Sequence, residues 1–376
     1  MQGRSFGILA APVARSRVKP MHRRARPNHY LSRRILMNRS ELARIAQAMV
    51  VTGKGLLAAD ESTGTIRKRF EAIKLESTEE HRRVYRELLF TTPGAAEWIS
   101  GVIFYDETIR QKTADGRPFA QYLTQQGIIP GIKVDLGAKP LAGFPGETVT
   151  EGLDGLRERL IEYRKLGARF AKWRAVIDIG AGIPTSFGIE ANAHALARYA
   201  ALCQENEIVP IVEPEVLMDG DHSIERCEEV TDATLSCVFK RLQDHRVELE
   251  GMVLKPNMVI SGKKAARRAS AEAVAQATVR CLKRHVPPAV PGIAFLSGGQ
   301  SPQEATLHLA LINRLGPLPW SLTFSYGRAL QETAIEAWGG RSGDFTAGQQ
   351  EFAHRARLNG LAAAGRYTAD MEQKAA

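Results

Sequence analysis

Eight short apolar runs alternating with helical patterns predict an α/β fold: a single-domain (β/α)8 TIM barrel followed by a mobile C-terminal tail. Two further observations agree. The runs recur roughly every 30–45 residues, the length that a strand, a covering helix and two loops occupy in a parallel crossover. Several of them also turn charged in their C-terminal halves, the end at which such barrels carry their chemistry.

The chain has 376 residues, 44% of them hydrophobic and 24% charged, which suits one large globular domain. No apolar run approaches the roughly 18 residues of a membrane helix, and no membrane partner is expected. Residues 1–40 carry ten of the 51 Lys and Arg and no acid, leaving 41 basic against 41 acidic residues in the remainder. The net charge of +10 is therefore that of an N-terminal arm. The body is neutral, and no nucleic acid is expected as a partner. The arm has no apolar core of a secretory signal. Its Arg-rich, acid-free composition fits an organellar transit peptide covering residues 1–36, and the competing reading is a true start at Met37, just before a helix capped at Ser40. The expected organisation is a basic extension over 1–39, the barrel over 40–342, and a C-terminal helix with a flexible tail over 343–376. Cys203, Cys227, Cys237 and Cys281 show no C-x-x-C spacing and read as reduced thiols of a cytoplasmic protein.

In chain order the runs are GLLAAD (55–60), WISGVIFY (98–105), GIKVDLG (131–137), RFAKWRAVID (169–178), IVPIVEPEV (208–216), EGMVLKPNMV (250–259), GIAFLSGG (292–299) and SLTFSYG (321–327). Helix signals separate them. Thr78 precedes EEHRRVYRELL, Thr150 precedes a periodic segment ending at Gly167, and Ser301 with Glu304 forms a capping box before ATLHLALINRLG.

Strands of a parallel barrel are covered on both sides and should be apolar throughout. Here the first run ends in Asp60, the fourth holds Lys172 and Arg174, the fifth Glu213 and Glu215, and the sixth Lys255. Each of the two pairs is spaced i, i+2 and so points to one side. Buried charge of this density costs too much to serve structure alone. A desolvated lysine beside another cation becomes a nucleophile toward carbonyls, which assigns Lys255 as nucleophile and Lys172 as its neighbour. Schiff-base formation needs a proton shuttle, for which Glu213 is the candidate. The iminium would then accept electrons from a breaking C–C bond, with Asp60 taking a hydroxyl proton. No metal or cofactor is called for. His194, His222, His245, His285, His308 and His354 show no ligand spacing and none ends a strand.

SGGQS (297–301) after the seventh run and SYGR (325–328) after the eighth supply glycine turns at helix starts, with Gly298, Gly299, Gly327 and Arg328 placed to hold a phosphate. Arg69 and Lys112, in the segments after the first two strands, are candidates for a second phosphate.

Six blocks together resemble class I fructose-1,6-bisphosphate aldolase: LAADEST (57–63), AKWR (171–174), VEPE (212–215), LKPNMV (254–259), FLSGGQS (295–301) and FSYGRAL (324–330). The resemblance spans about residues 41–365. It implies a metal-independent, reversible cleavage of fructose 1,6-bisphosphate in glycolysis and gluconeogenesis, and a homotetramer. It implies Lys255 as the Schiff-base lysine, Glu213 as acid/base with Glu215 beside it, Lys172 as a substrate contact, and Asp60 at the C4 hydroxyl. Ser297, Gly298, Gly299, Ser325 and Arg328 fall on the grip for the phosphate nearer the ketone. Arg69 and Lys112 fall toward the other. The chain departs from many eukaryotic members in its ending: its last tyrosine is Tyr367, followed by TADMEQKAA. Sequence leaves open a preference for fructose 1-phosphate. A non-catalytic barrel would have no use for Lys255, Glu213, Lys172 and Asp60 together.

Overall fold

The computed structural model describes residues 2–3, 29–341 and 343–373. Backbone contacts divide the chain into Met1–Met37 and Asn38–Ala376. Most of the first unit, and with it the reading of residues 1–36 as a transit peptide, lies outside the described residues.

Helix α1 spans His29–Met49. It does not start at a Ser40 cap, because residues 29–49 contain neither Gly nor Pro to interrupt it. Among the described residues ten strands follow: β1 Gly55–Ala59, β2 Ile99–Phe104, β3 Ile129–Lys133, β4 Ala138–Pro140, β5 Thr148–Thr150, β6 Phe170–Ile177, β7 Val209–Val216, β8 Val253–Leu254, β9 Gly292–Phe295 and β10 Ser321–Tyr326. Eight of them close a parallel barrel in the order β1-β10-β9-β8-β7-β6-β3-β2, as the alternation predicts. β8 is short because Pro256, two residues past its end, brings no N–H to a ladder. β4 and β5 form an antiparallel hairpin that the sequence reading did not anticipate.

The helices are α2 Thr63–Ala72, α3 Glu79–Phe90, α4 Asp106–Arg110, α5 Phe119–Gln125, α6 Leu156–Lys165, α7 Ser186–Glu205, α8 Ile224–Asp244, α9 Ala271–His285, α10 Pro302–Arg314, α11 Arg328–Trp338 and α12 Thr346–Ala363. Thr78 caps α3 as expected, accepting from His81 N at 3.1 Å. The Ser301–Glu304 capping box is present on α10. The start read at Thr150 is displaced: Thr150 ends β5, and α6 begins only after Gly155 at φ +66°.

Side chains alternate across each strand. The outward row joins the helices in one large core that includes Trp173, Phe104, Phe295 and Trp338. The inward row forms a second cluster at the N-terminal end of the barrel, where Leu42, Ile45 and Met49 of α1 meet Leu56, Phe170, Val209, Ile211 and Val253. That plug is tight. A Cβ on Gly131 would stand 2.2 Å from the Phe170 ring, so the ring fills the space of the missing side chain.

Beyond the barrel, α12 belongs to the core through Phe352, Leu358 and Ala362. The C-terminal helix expected over 343–376 is α12, and the segment after it, as far as it is described, is anchored through Glu372. Tyr367 is 2% exposed, its hydroxyl donates to Glu372 at 2.8 Å, and Glu372 pairs with buried Arg355 at 2.5 Å.

Candidate active site

The barrel's inward rows change character along their length. Leu56 and Ala58 lead to Asp60; Phe170 leads to Lys172 and Arg174; Val209 and Ile211 lead to Glu213 and Glu215; Val253 leads to Lys255. The apolar part fills the N-terminal half. The charged part lines a cavity of about 420 Å³ at the C-terminal mouth, shared by Lys133, Asp135, Arg69, Ser297, Gly298, Ser325, Gly327 and Arg328. One alternation of two residues per repeat thus yields both the core and the site.

At its centre Glu213 stands between two lysines. Lys255 Nζ lies 3.0 Å from Oε1, and Lys172 Nζ lies 3.4 Å from Oε2. Lys172 is also 2.7 Å from Asp60 Oδ2 and 3.9 Å from Asp135 Oδ2. All five side chains are largely buried. The two lysines are therefore not a bare cation pair, since a carboxylate oxygen faces each. Burial by itself would push the Asp60 carboxyl up, but the Lys172 and Lys255 ammoniums outweigh it and hold the group well below the usual carboxylate range. Burial likewise acts to lower Lys172, and Asp60, Glu213 and Asp135 together raise it above the ordinary lysine value. Both groups stay ionised at neutral pH. Nearer the mouth, Arg174 Nε donates to Glu215 Oε2, which fixes the second acid of VEPE against the strand beside it.

One side of the mouth carries a network that the sequence reading passed over. Glu61 is buried, with Oε1 2.5 Å from Arg69 Nη1 and Oε2 2.6 Å from Arg86 Nη2. Gln331 Nε2 adds a hydrogen bond to Oε1 at 2.9 Å and another to Ala58 O at 2.8 Å. Burial raises Glu61, the two guanidiniums lower it, and the net direction is down. Arg69 is in this way held at the cavity wall by an acid next to Asp60 in the chain.

Next to this network, because β10 pairs with β1 in the closed barrel, lie the turns after β9 and β10. Gly299 adopts φ +73°, and a Cβ there would come 2.0 Å from Met218 Cγ, so no other residue fits the turn. Gly298 lines the cavity and Gly299 packs behind it. α11 starts at Arg328 with no side-chain cap on its N-terminus, which leaves its first N–H groups and the positive end of its dipole facing the cavity. Ser325 Oγ is buried at the same wall without a hydrogen-bond partner among the described residues. Arg328 itself donates to Gln300 O at 2.6 Å.

The structure brings thirteen of the fourteen sequence-selected residues to this cavity or to its glycine turn. Lys112 is the exception. It bridges Pro118 and lines a separate, mainly apolar groove of about 870 Å³ with Ile109, Ile128 and Leu166. Besides Glu61, the cavity gains two charged residues that the sequence reading does not select, Lys133 and Asp135, which are 2.9 Å apart at the end of β3. Their signal was the same i, i+2 spacing in GIKVDLG. It was hidden because that run was placed two residues late, so its charges read as mid-strand. Tyr367 is packed in the core and does not line the cavity.

A family model described as fructose-bisphosphate aldolase class-I matches residues 41–376. A probable fructose-bisphosphate aldolase class 1 of Xanthomonas campestris is 61% identical over 332 residues, which is 88% of this chain and 99% of that one. The cytosolic fructose-bisphosphate aldolase 4 of Arabidopsis thaliana is 54% identical over 88% of this chain and 85% of its own. Among solved structures, the Plasmodium falciparum fructose-bisphosphate aldolase, crystallised with TRAP and a small-molecule inhibitor, superposes with a TM-score of 0.87 at 52% identity. The match covers 88% of this chain and 96% of that one.

Proposed function

The chain belongs to the class I fructose-bisphosphate aldolase family, and from that premise we propose how its own residues carry the reaction. The enzyme is a lyase that reversibly cleaves fructose 1,6-bisphosphate to dihydroxyacetone phosphate and glyceraldehyde 3-phosphate through a lysine Schiff base. The observation that carries the assignment of roles is the Lys255–Glu213–Lys172–Asp60 chain of contacts at 3.0, 3.4 and 2.7 Å.

Lys255 gives a proton to Glu213, and its free amine attacks the C2 carbonyl. Glu213 returns a proton to the carbinolamine hydroxyl, which leaves as water and yields the iminium. Lys172, fixed between Asp60 and Glu213, supplies positive charge where the C2 oxygen becomes negative. Asp60, held ionised by Lys172, accepts the C4 hydroxyl proton. The C3–C4 bond breaks, its electrons neutralise the iminium to an enamine, and the aldehyde departs. Glu215, locked by Arg174, keeps a second negative charge beside Glu213 and supports its cycling between protonation states.

Ser297, Gly298, Ser325, Gly327 and Arg328 take the phosphate nearer the ketone. The uncapped start of α11 and the orphan Ser325 hydroxyl support this, since a phosphate oxygen would satisfy both. Gly299 shapes that turn from behind, and Arg69 takes the other phosphate. Lys112 has no part in this scheme. We further propose a homotetramer in the cytoplasm, with the basic arm outside the catalytic unit because the family match begins at residue 41. Among the described residues no helix is long and apolar enough to cross a membrane. Light scattering should then give about four times the chain's 41.3 kDa.

The deciding experiment traps the intermediate. Incubation with dihydroxyacetone phosphate, reduction with borohydride and peptide mass analysis should place the adduct on Lys255, in enzyme whose activity survives EDTA. An adduct elsewhere, or none, overturns the assignment.

A further inference from the structure

Arg328 holds its place in the phosphate grip through one backbone carbonyl, that of Gln300, at 2.6 Å. What holds Gln300 is not part of the cavity. Its side chain is 1% exposed and points away from the mouth into the packing beneath the turn, where Oε1 lies 2.6 Å from His308 Nδ1. Gln300 Nε2 is buried with no partner, so this single hydrogen bond is the side chain's one tie among the described residues. His308 is fixed in turn. It lies on α10, 6% exposed, one turn beyond the Ser301–Glu304 capping box that anchors the other end of the same loop. Burial pushes its imidazole down to about 4, against a background of Glu304 and Glu272, which raise it, and Arg268, which lowers it. It is therefore neutral when the enzyme works, with Nδ1 carrying the hydrogen that an amide oxygen requires.

We infer that His308 is a positioning residue for the phosphate nearer the ketone: through Gln300 it sets the carbonyl that aims Arg328. Arg328 is half exposed, with its other terminal nitrogen 3.6 Å from Glu332, so without the Gln300 carbonyl little in the protein would hold the guanidinium toward the cavity. The hydrogen bond is remote from Lys255 and its partners. Its loss should weaken substrate binding and leave the chemical steps alone. This rests on the reading of Arg328 as a phosphate ligand, and the experiment separates the two.

Steady-state kinetics are measured on fructose 1,6-bisphosphate for His308→Leu, His308→Asn, Arg328→Ala and the double variant His308→Leu/Arg328→Ala. His308→Leu should raise KM about 5- to 10-fold, the worth of one buried hydrogen bond, with kcat within about twofold. His308→Asn should restore KM, because an asparagine amide places a nitrogen where Nδ1 stands. In the Arg328→Ala background, removing His308 should change KM no further. If Arg328→Ala raises KM and His308→Leu does not, or if His308→Asn behaves like His308→Leu, or if the two effects multiply in the double variant, the positioning role is overturned. If Arg328→Ala itself leaves KM unchanged, the phosphate assignment falls with it. Should His308→Leu fail to fold, Gln300→Met removes the same hydrogen bond at equal volume and must give the same KM shift for the inference to stand.

Discussion

Replacing Lys172 by methionine removes one charge from the centre of the barrel, strands Asp60, and leaves Glu213 and Asp135 with one lysine each, Lys255 and Lys133. The ammonium is 2.7 Å from Asp60, 3.4 Å from Glu213 and 3.9 Å from Asp135, and its side chain is only 5% exposed. Methionine keeps the volume, so the loss is electrostatic. Breaking a buried pair by deleting one partner costs about 3–5 kcal/mol. At roughly 2 °C per kcal/mol for a domain this large, the melting temperature should fall by about 6–10 °C. The pH dependence carries the sharper test. The folded-state pKa of Asp60 lies below its unfolded value of about 3.9, so in the wild type its contribution is fully present above that value and is lost only as pH falls through the folded one. In Lys172→Met that contribution disappears, and burial now favours the protonated acid. The deficit should therefore be largest near pH 7.5 and smaller at pH 5. Adding Asp60→Asn removes the stranded charge and should recover part of the loss, so the two substitutions are non-additive. Calorimetry of the four proteins at both pH values decides. A melting temperature unchanged by Lys172→Met, or a deficit equal at pH 5 and pH 7.5, refutes the account of the site as a mutually compensated cluster.

Gly299→Ala forces a side chain into φ +73° and into Met218, so both thermal stability and affinity for the phosphate should drop, by about 1–3 kcal/mol of strain in the former. Glu61→Gln keeps the shape of the buried acid but unpairs Arg69 and Arg86. KM for fructose 1,6-bisphosphate should rise more than KM for fructose 1-phosphate, and equal changes would count against Arg69 as the second phosphate ligand. Lys112→Ala should leave kcat and KM within about twofold, as substitutions away from such features usually do, because Lys112 lies along a different groove. A large loss in kcat/KM would return it to the site.

The site was legible to the extent that it breaks a rule. Asp60, Lys172, Glu213 and Lys255 stand out because a covered parallel strand has no other use for a charge, and the i, i+2 spacing tells that the pairs share a face. Lys133 and Asp135 obey the same rule, yet they depended on placing β3 within two residues, a precision that an apolar pattern does not carry. Glu61 was invisible for another reason. It follows Asp60 in the loop, where acids are ordinary, and only the tertiary approach of Arg86 from α3 and Gln331 from α11 makes it a buried anchor. Lys112 shows the converse: it follows a strand in sequence, yet the fold places it along a different groove, bridged to Pro118. The Gly/Ala-rich composition of the tail suggests mobility, and the contacts that hold it as far as Glu372, from Tyr367 and Arg355, are visible only in the fold.

Sequence alone determined the barrel and the chemistry, because both are periodic. Strand-helix alternation sets the topology, and the two-residue period along each strand carries an apolar plug at one end and a reactive cluster at the other. Tertiary structure alone decided the distances. It placed Glu213 between the two lysines, gave Arg69 its buried acid, and put His308 beneath the loop that aims Arg328. Glu213 meets partners 41 and 42 positions away, and Gln331, which braces Glu61, lies 270 positions from it. No local pattern encodes such a meeting; it exists only once the sheet has closed on itself.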